Sequence, residues 1–456
     1  MNKWTIHVTD FGKIKKADVE VAPLTLFVGD NNSGKSYMMT LIYGLLNLRL
    51  FFDGYLEDED SEEFEECCKV IDKFVKTPEG KREDVYCLSQ EEIKVFQNLL
   101  NHILKKKRKK FLESLFNKKK MSMGNLSIEF PEKSELQLKI RYFYDEDNRP
   151  DEVVVNAMDA DTMMSGYRMD VDDIGGDHSS YEFYVAYVIE SLLRKGFHNS
   201  KNDDVVYFPT ARTGFLLTYK TLIGSAVEQK YGQEETDKTL LTRPNREFLR
   251  ILSSMNTQNE WDKYEDIVHF IEENLLQGTV SVSDMPTHDI LYTPKDKDEK
   301  LPLYITSAVV TELTPILLFL KYVKIASLLI EEPEISLHPE LQWQIARVMI
   351  RLVNAGIPIF TTTHSDIIIQ HVNNMIKLRK AQGQEDIASR LGYKKEDFLS
   401  EELVAMYQFD ADRESETIVK RLPCGEYGFE ATTFYHILKK LSNQVDEIEE
   451  KLSEPD

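Results

Sequence analysis

The chain has 456 residues, more than one ordinary hydrophobic core holds, so we expect two or three structural units. Hydrophobic residues make up 42% of it, and 21 Tyr with 23 Phe indicate a well-filled globular protein rather than a disordered one. A net charge of −22 argues against broad nucleic-acid affinity, and the four cysteines form no zinc-ligand pattern. No stretch approaches the roughly 20 apolar residues of a membrane span. We therefore expect a cytoplasmic protein with reduced thiols and no membrane partner.

The first elements are strands within residues 4–28, and the last of them runs into GDNNSGKS (29–36) and a helical pattern. This segment matches G-x-x-x-x-G-K-[ST], in which glycines let the backbone wrap a phosphate. Lys35 is expected to reach the β- and γ-phosphates of a nucleotide, and Ser36 to ligate Mg²⁺. The residues expected at the nucleotide are Gly29, Asn31, Asn32, Ser33, Gly34, Lys35, Ser36 and Tyr37.

An acidic run follows, and helical patterns continue through residue 116. They end in KKKRKKFLESLFNKKK (105–120), where the apolar residues Phe111, Leu112, Leu115 and Phe116 should pack inward while the lysines face out. Three interpretations stay open for this run: a solvated helix end, a nucleic-acid contact, or a docking surface for an acidic partner.

The middle of the chain changes between strand and helix patterns. We predict strands at 126–130, 136–144 and 152–158, a strand that runs into a turn at 205–212, a loop at 159–180, a helix at 181–197, mostly helix at 214–275, and short strands within 278–306. The tail suggests two edge strands, ELVAMYQFD and ETIVKRL, and a final helix over 430–452.

Beyond about residue 300, helices alternate with buried strands, which predicts a parallel sheet with right-handed crossovers. The sheet core is split, because its first piece lies at the N-terminus. We expect an α/β fold, a mostly parallel sheet flanked by helices with an antiparallel β subdomain and helical insertions. The expected units are 1–50 and 278–456 as the two parts of the head, 51–120 and 213–277 as helical insertions, and 121–212 as the β subdomain with a helix.

Two adjacent carboxylates, Glu331 and Glu332, follow the buried run ASLLI. Like charges repel and resist desolvation, so a positive partner should meet them. The end of this strand would lie beside the phosphate loop, because ligands bind at the carboxyl ends of parallel strands. We expect Glu331 to hold Mg²⁺ through water and Glu332 to orient and polarise the attacking water.

Two further polar residues fall at the ends of predicted elements. His364, in TTHS after the strand IPIF, is expected within reach of the γ-phosphate. Ser307 precedes a helix that begins near residue 309, and a hydroxyl at a helix N-terminus suits an anion site or an ordinary N-cap equally well.

The order of GDNNSGKS, SAVVTEL, LLIEEPEISLHPE and TTHS resembles the Walker A, signature, Walker B with D-loop, and switch-histidine elements of ABC-type ATPase heads. The EEPE…LHP wording is similar to the branch that includes the OLD nucleases, the SMC-like heads and small bacterial phage-defence ATPases, an AAA15-like family. VYFPTARTGF is similar to an internal element of that branch. These motifs cover about half of the chain.

The resemblance implies that two heads sandwich two ATP molecules with Mg²⁺. Each site would join one subunit's Lys35, Ser36, Glu331, Glu332 and His364 to the other's Ser307, while the D-loop with His338 crosses the interface. Glu331 stands where the family usually has Asp, and Ala308-Val309 replace the double glycine of the signature. Added Cβ atoms restrict close approach to a γ-phosphate, so slow turnover is expected.

OLD nucleases carry a further nuclease domain, but no βα pattern follows DADRE (410–414), so we expect no fused nuclease. The domain order is similar to that of the stand-alone ATPases AriA of PARIS and PtuA of Septu. That implies an ATP-hydrolysing regulator in anti-phage defence, at least a homodimer, which controls a separately encoded effector such as a nuclease. The alternative is an SMC-like DNA-maintenance ATPase that binds nucleic acid through residues 105–120. A transporter subunit ranks last, because it normally needs an intact LSGGQ.

Overall fold

A computed structural model describes residues 3–48, 61–75, 81–144, 150–157, 167–170, 178–194, 204–231, 241–258, 260–283, 289–381, 383–411, 416–431, 440–446 and 448–449. Among these residues no helix is both long and apolar enough to cross a membrane.

The strands form one large sheet and three smaller ones. Their bounds are β1 Thr5–Phe11, β2 Ile14–Glu20, β3 Leu24–Gly29, β4 Glu83–Leu88, β5 Asn125–Glu129, β6 Leu136–Tyr144, β7 Pro150–Ala157, β8 Tyr167–Asp170, β9 Asp204–Phe208, β10 Gly278–Val282, β11 Ile290–Pro294, β12 Leu301–Pro302, β13 Ile325–Glu331, β14 Ile359–Thr362, β15 Val404–Ala411, β16 Thr417–Leu422, β17 Cys424–Gly425 and β18 Gly428–Phe429.

The helices lie between these strands and flank the large sheet. They are α1 Lys35–Leu46, α2 Glu62–Val75, α3 Gln90–Phe116, α4 His178–Arg194, α5 Arg212–Tyr231, α6 Arg243–Ser254, α7 Glu265–Ile271, α8 Ala308–Tyr322, α9 Pro339–Asn354, α10 Asp366–Lys380 and α11 Gln384–Leu391.

The large sheet has the order β5-β1-β2-β16-β15-β3-β14-β13-β9. The run β15-β3-β14-β13-β9 is parallel throughout, while β1 pairs antiparallel with both β2 and β5. The smaller sheets are antiparallel, and the largest of them is β4-β6-β7-β8. The predicted α/β architecture with an antiparallel subdomain is therefore confirmed.

The hydrophobic core lies on both faces of the large sheet, because the central strands are buried on both sides. Every residue of β13 is buried. Leu329 packs into the cluster that contains α1, while Leu328 and Ile330 pack into the cluster that contains α8 and α9. Continuous apolar runs are typical of parallel strands covered on both faces.

The tail strands were wrongly predicted as edge strands. β15 lies between β3 and β16, and β16 pairs with β2, so the edges of the sheet are β5 and β9. The pairing joins the antiparallel N-terminal strands to the parallel core. The burial of six consecutive residues in β15 fits this interior position.

Three other predictions need correction or limits. Residues 83–88, predicted within a helical segment, form a strand, because their exposure alternates and they pair with β6. The loop predicted at 159–180 contains β8, which pairs with β7. Of the final helix predicted at 430–452, residues 440–446 and 448–449 are helical, while 432–439, 447 and 450–452 lie outside the described residues.

Candidate functional site

The site lies where four adjacent parallel strands end at one edge of the large sheet. β3 ends at Gly29, β13 at Glu331, β14 at Thr362 and β9 at Phe208. The register places Glu331 beside Thr362, and Thr362 beside Phe27 of β3. The segments that follow these strands therefore meet at one place, as expected for a parallel sheet.

The loop 29–36 connects β3 to α1 and turns through positive φ angles at Gly29, Asn32 and Gly34. Gly29 is required both by its φ of 125° and by its neighbour, since a Cβ there would lie 2.3 Å from the carbonyl oxygen of Phe409. Successive backbone turns of this kind form a concavity suited to an anion, and the N-terminus of α1 adds its dipole.

Lys35 is buried within this loop. Its Nζ donates to the carbonyl oxygens of Gly29 at 3.0 Å and Asp30 at 2.6 Å. Burial lowers the pKa of Lys35 to about 8, and the carboxylates of Glu332, Asp30 and Glu334 oppose that shift. The ammonium therefore remains mostly protonated at pH 7, close to three carboxyl groups.

The other candidate residues of the loop differ in exposure. Ser33 is buried and donates to the Asp30 carbonyl at 2.7 Å, while Asn31, Asn32, Ser36 and Tyr37 are exposed. The ring of Tyr37 lies against Phe11 and Phe116, with centroid distances of 5.6 and 5.3 Å.

Glu331 and Glu332 lie at the end of β13 in different surroundings. Glu331 is buried, and its Oε2 accepts from the backbone N–H and the hydroxyl of Thr210 at 3.2 and 3.1 Å. Its Oε1 is buried and has no hydrogen-bond partner among the described residues. Glu332 is half-buried, and its backbone adopts φ 43°, a left-handed conformation that is costly for a residue with a long side chain.

The Glu332 carboxyl carries a raised pKa, first because of burial and then because of the neighbouring charge of Glu331. The positive charges of Lys35 and Arg212 partly offset that rise. His364 Nε2 lies 4.0 Å from Glu332 Oε1. Burial, and then the charge of Lys35, lower the pKa of His364, so its imidazole is neutral at pH 7.

Sequence reasoning gave no role to Glu334, although it lies within the same cluster. Its Oε1 accepts from the Thr363 hydroxyl at 2.9 Å and from the backbone N–H of His364 at 2.5 Å. Its Oε2 is buried and has no hydrogen-bond partner among the described residues. The EEPE segment shows that a third carboxylate lies near Glu331 and Glu332, but not which groups that carboxylate contacts.

Arg212 was recognised only as part of a turn, yet its side chain is fully buried beneath the site. Its Nη1 donates to the carbonyl oxygen of Glu331 at 2.9 Å, and its Nη2 to that of Glu332 at 3.3 Å. Its Nε lies 2.9 Å from Glu312 Oε2 on α8. No local pattern could have revealed these contacts, because they join segments about 100 residues apart.

Ser307 and His338 are not joined to this cluster by any hydrogen bond or ion pair in the part of the chain that the structure describes. Ser307 caps α8, since its side chain accepts from the N–H of Val310 at 3.4 Å, and His338 occupies the N-cap position of α9. Both are exposed. Ser307 is thus an N-cap, and its contact with an anion stays a prediction.

The donor set fits a magnesium ion shared with a nucleotide. No group of three or more His, Cys, Asp or Glu side chains suited to a metal occurs in the described ranges. Magnesium prefers oxygen ligands and commonly takes only one or two from protein, with phosphates and waters completing its shell. The unpartnered Oε1 of Glu331 and the exposed hydroxyl of Ser36 suit that pattern.

Comparison with solved structures finds heads of SMC proteins at low similarity. An Smc head bound to the C-terminal winged-helix domain of ScpA is 12% identical, covers 92% of this chain and 96% of its own, and has a TM-score of 0.35. The Smc head with an extended coiled coil, bound to the C-terminal domain of ScpA and derived from Pyrococcus furiosus, is 12% identical. The match covers 98% of this chain and 100% of that one, with a TM-score of 0.34. The SMC head from Thermotoga maritima is 9% identical, and the match covers 93% of this chain and 100% of that one, with a TM-score of 0.32.

No curated protein matches the chain. The AAA ATPase domain family matches residues 3–369. Because that match spans well over half of the 456 residues, the chain belongs to the AAA ATPase domain family.

Proposed function

We propose that this protein binds ATP between two copies of its head, hydrolyses it to ADP and phosphate, and uses the cycle to regulate a separate effector. The observation that carries the proposal is the convergence of Lys35, Glu331, Glu332 and His364 at the ends of β3, β13 and β14. An ammonium, paired carboxylates and a neutral imidazole around one phosphate-sized loop are the groups that phosphoryl transfer to water needs.

In this proposal the loop 29–36 binds the phosphates through its backbone N–H groups and the N-terminus of α1. Lys35 leaves the carbonyls of Gly29 and Asp30 to contact the β- and γ-phosphates. Ser36 and Glu331 would hold Mg²⁺, and when bound it would neutralise charge on the β- and γ-phosphate oxygens. Asn31, Asn32, Ser33, Gly34 and Tyr37 complete the nucleotide contact.

Glu332 is proposed to accept a proton from the attacking water as the water oxygen bonds to the γ-phosphorus and the bond to the β-phosphate oxygen breaks. A raised pKa makes its carboxylate a stronger base than an ordinary glutamate. The neutral imidazole of His364, 4.0 Å away, is suited to hold the γ-phosphate or the water by hydrogen bonds.

The dimer is supported by the surface around Ser307 and His338. Tyr304 and Ile305, three and two residues before Ser307, are large apolar side chains that are 76% and 58% exposed. Ser336 and His338 are exposed in the loop before α9. We propose that Ser307 contacts the partner's ATP in trans and that His338 lies in the interface.

Two variants test the core of the proposal. Lys35→Ala should abolish ATP binding, and Glu332→Gln should lower kcat by about 10²- to 10⁴-fold while ATP-bound dimer accumulates. The matched control is Glu340→Gln, an exposed glutamate in the first turn of α9, which should leave kcat unchanged. Wild-type turnover by Glu332→Gln would show that the assigned base is wrong.

The proposed regulatory role in anti-phage defence rests on the order of motifs in the sequence, which resembles that of the ATPases AriA and PtuA. A pull-down of the product of the neighbouring gene, with and without ATP, tests it. Association that depends on ATP and is lost in Lys35→Ala is the expected result. If no neighbour associates in either state, the effector role is wrong, whereas the ATPase proposal stands on its own kinetics.

A second candidate function is nucleic-acid binding through residues 105–120, as in an SMC-like DNA-maintenance ATPase. The observation that favours it is the placement of the end of α3: Lys105, Lys109 and Lys110 are exposed, while Phe116 packs on Tyr37 beside the phosphate loop. Nucleic acid bound at the end of α3 would thus lie next to the nucleotide site.

Duplex DNA binding should weaken steeply with salt and be lost in Lys109→Glu/Lys110→Glu. The control is Lys297→Glu/Lys300→Glu, which reverses the same number of exposed charges in the turn after β11. Equal effects of the two pairs would indicate only a non-specific response to net charge.

A further inference from the structure

A single buried side chain connects the backbone of Glu331 and Glu332, at the end of β13, to helix α8. Arg212 is fully buried, and its guanidinium reaches two distant segments of the chain. One side of the fork donates to the carbonyl oxygens of Glu331 and Glu332. The Nε side contacts Glu312, both through its carboxylate at 2.9 Å and through its carbonyl oxygen at 3.3 Å.

The contact with Glu332 matters because of the conformation of that residue. Its φ of 43° is strained, and such a conformation persists only where neighbours fix it. The N–H of Glu332 donates to the carbonyl oxygen and the hydroxyl of Thr362 at 3.0 and 3.2 Å. On the other side, its carbonyl oxygen accepts from Arg212 Nη2 at 3.3 Å and from the backbone N–H of Ile335 at 3.1 Å. The peptide groups on both sides of Glu332 are therefore held, one by β14 and the other by Arg212 together with Ile335.

The contact with Glu312 matters because of its place in α8. That helix begins at Ala308, directly after Ser307, and Glu312 lies about one turn further on. Thr213, the residue after Arg212, donates to the other carboxylate oxygen of Glu312 at 2.6 Å. The Glu312 carboxylate is thus held by Arg212 and Thr213 together.

We propose that Arg212 is a positioning residue that sets the orientation of Glu332 and ties it to helix α8. The inference rests on the proposed function, in which Glu332 acts as base and the start of α8 meets the ATP of the partner subunit. A displacement of α8 on contact with the partner would reach Glu332 through one planar, bidentate group. Lysine cannot replace it, because a single ammonium cannot bind the carbonyls and Glu312 in the same geometry.

The test uses two levels of disruption. Arg212→Lys keeps the positive charge and loses the fork. Thr213→Val keeps Arg212 and the shape of the neighbouring residue, and removes only the hydroxyl that binds Glu312, while Thr213→Ser restores that hydroxyl. The matched control is Arg351→Met, since Arg351 is also a buried arginine with an ion-paired carboxylate, Asp397, outside the site.

We expect Arg212→Lys to lower kcat by about 100-fold and Thr213→Val by about tenfold, with KM and equilibrium ATP affinity within about twofold of wild type. Thr213→Ser should recover most of the rate. Arg351→Met should lower the melting temperature without lowering kcat at a temperature where it is folded.

A double-mutant cycle separates positioning from general loss of stability. In the Glu332→Gln background, Thr213→Val should cause little further loss of rate, because the residue that it positions is already disabled. A full additive loss, or unchanged kcat in folded Thr213→Val, would overturn the inference. Failure of the proposed function looks different: Glu332→Gln itself would then turn over ATP at the wild-type rate.

Discussion

Two of the sites where the described part of the chain buries arginine beside carboxylate are built in opposite ways. At the first, Arg212 lies among Glu312, Glu331 and Glu332 beneath the phosphate loop. At the second, which we name the Asp397 cluster, Arg347 and Arg351 both bind Asp397. The first has an excess of carboxylates, and the second has two cations for one carboxylate.

The Asp397 cluster is saturated. Both Asp397 oxygens accept from the two guanidinium groups at 2.7 to 3.3 Å, and the backbone N–H of Lys394 adds a bond at 2.9 Å. The guanidinium carbons lie 4.0 to 4.8 Å from the ring centre of Phe270. The phosphate-loop site instead leaves oxygens of Glu331 and Glu334 without a partner. Saturation is typical of a structural role, whereas buried carboxylate oxygens without a hydrogen-bond partner remain able to accept from a ligand.

The largest effect on stability should come from the saturated cluster. Burial alone would raise the pKa of Asp397, but hydrogen bonds from Arg351 and then Arg347 lower it to about 2. Asp397→Asn should lower the free energy of unfolding by about 3 kcal/mol, because two buried guanidinium groups lose their counter-charge. Urea unfolding measures this change.

Turnover should be unaffected by Asp397→Asn in the folded protein. A kcat reduced in proportion to that of an active-site variant would contradict the division into a structural and a functional site. The kcat values of the wild type and of Asp397→Asn should be compared without urea and well below the melting temperature of the variant, where both proteins are folded.

A pH effect of similar size is expected next to the same cluster. His371 is buried, and burial followed by the charge of Arg347 lowers its pKa to about 4, with Asp397 opposing. Between pH 6.5 and 4, His371 therefore binds a proton in the unfolded chain but stays neutral in the folded chain. The stability that this histidine confers is complete above its unfolded pKa near 6.5 and should fall by about 3 kcal/mol as pH drops to 4.

The measurement is the free energy of unfolding from pH 7 to pH 4 for the wild type and for His371→Leu. The groups that face this ring are Arg347, Asp397, Trp343 and Tyr393, and none of them is altered in the variant. The wild-type curve should fall more steeply than that of the variant between pH 6.5 and 4. Parallel curves would show that the His371 pKa is not depressed in the folded state.

The parts of the fold and of the site that local patterns determine were predictable from the sequence. A buried strand, a glycine-rich loop and a helix follow one another around Lys35, and ASLLI ends at Glu331 whatever the rest of the chain does. Parallel strands present their carboxyl ends at one edge of the sheet, and this rule predicted that His364 lies near Lys35 and Glu331.

Long-range contacts were not predictable. Arg212 meets Glu331 across 119 residues, and nothing near either residue specifies the partner. The position of β16 within the sheet has the same cause, because strand order depends on which distant strands pair rather than on the apolar pattern of each one. The role of Glu334 was missed because it follows from the return of the chain at Thr363, not from the EEPE spacing alone.

The smallest predicted effect has the opposite sign and bears most directly on the comparison. Burial raises the pKa of Glu334, so its charge costs folding free energy at neutral pH, and that cost is relieved as pH falls. Glu334→Gln keeps an acceptor for Thr363 and His364 and removes the charge. The free energy of unfolding should therefore rise by about 1 kcal/mol at pH 7.

Glu340→Gln, an exposed substitution of the same chemistry, should change stability by less than about 0.5 kcal/mol in either direction. Destabilisation by Glu334→Gln would place Glu334 with Asp397 as a satisfied structural carboxylate. Stabilisation together with a lower kcat would mean that this edge of the sheet sacrifices stability to keep negative charge beside Lys35. In that case the surplus of carboxylates over cations, and not the burial of the carboxylates alone, distinguishes the site around Arg212 from the Asp397 cluster.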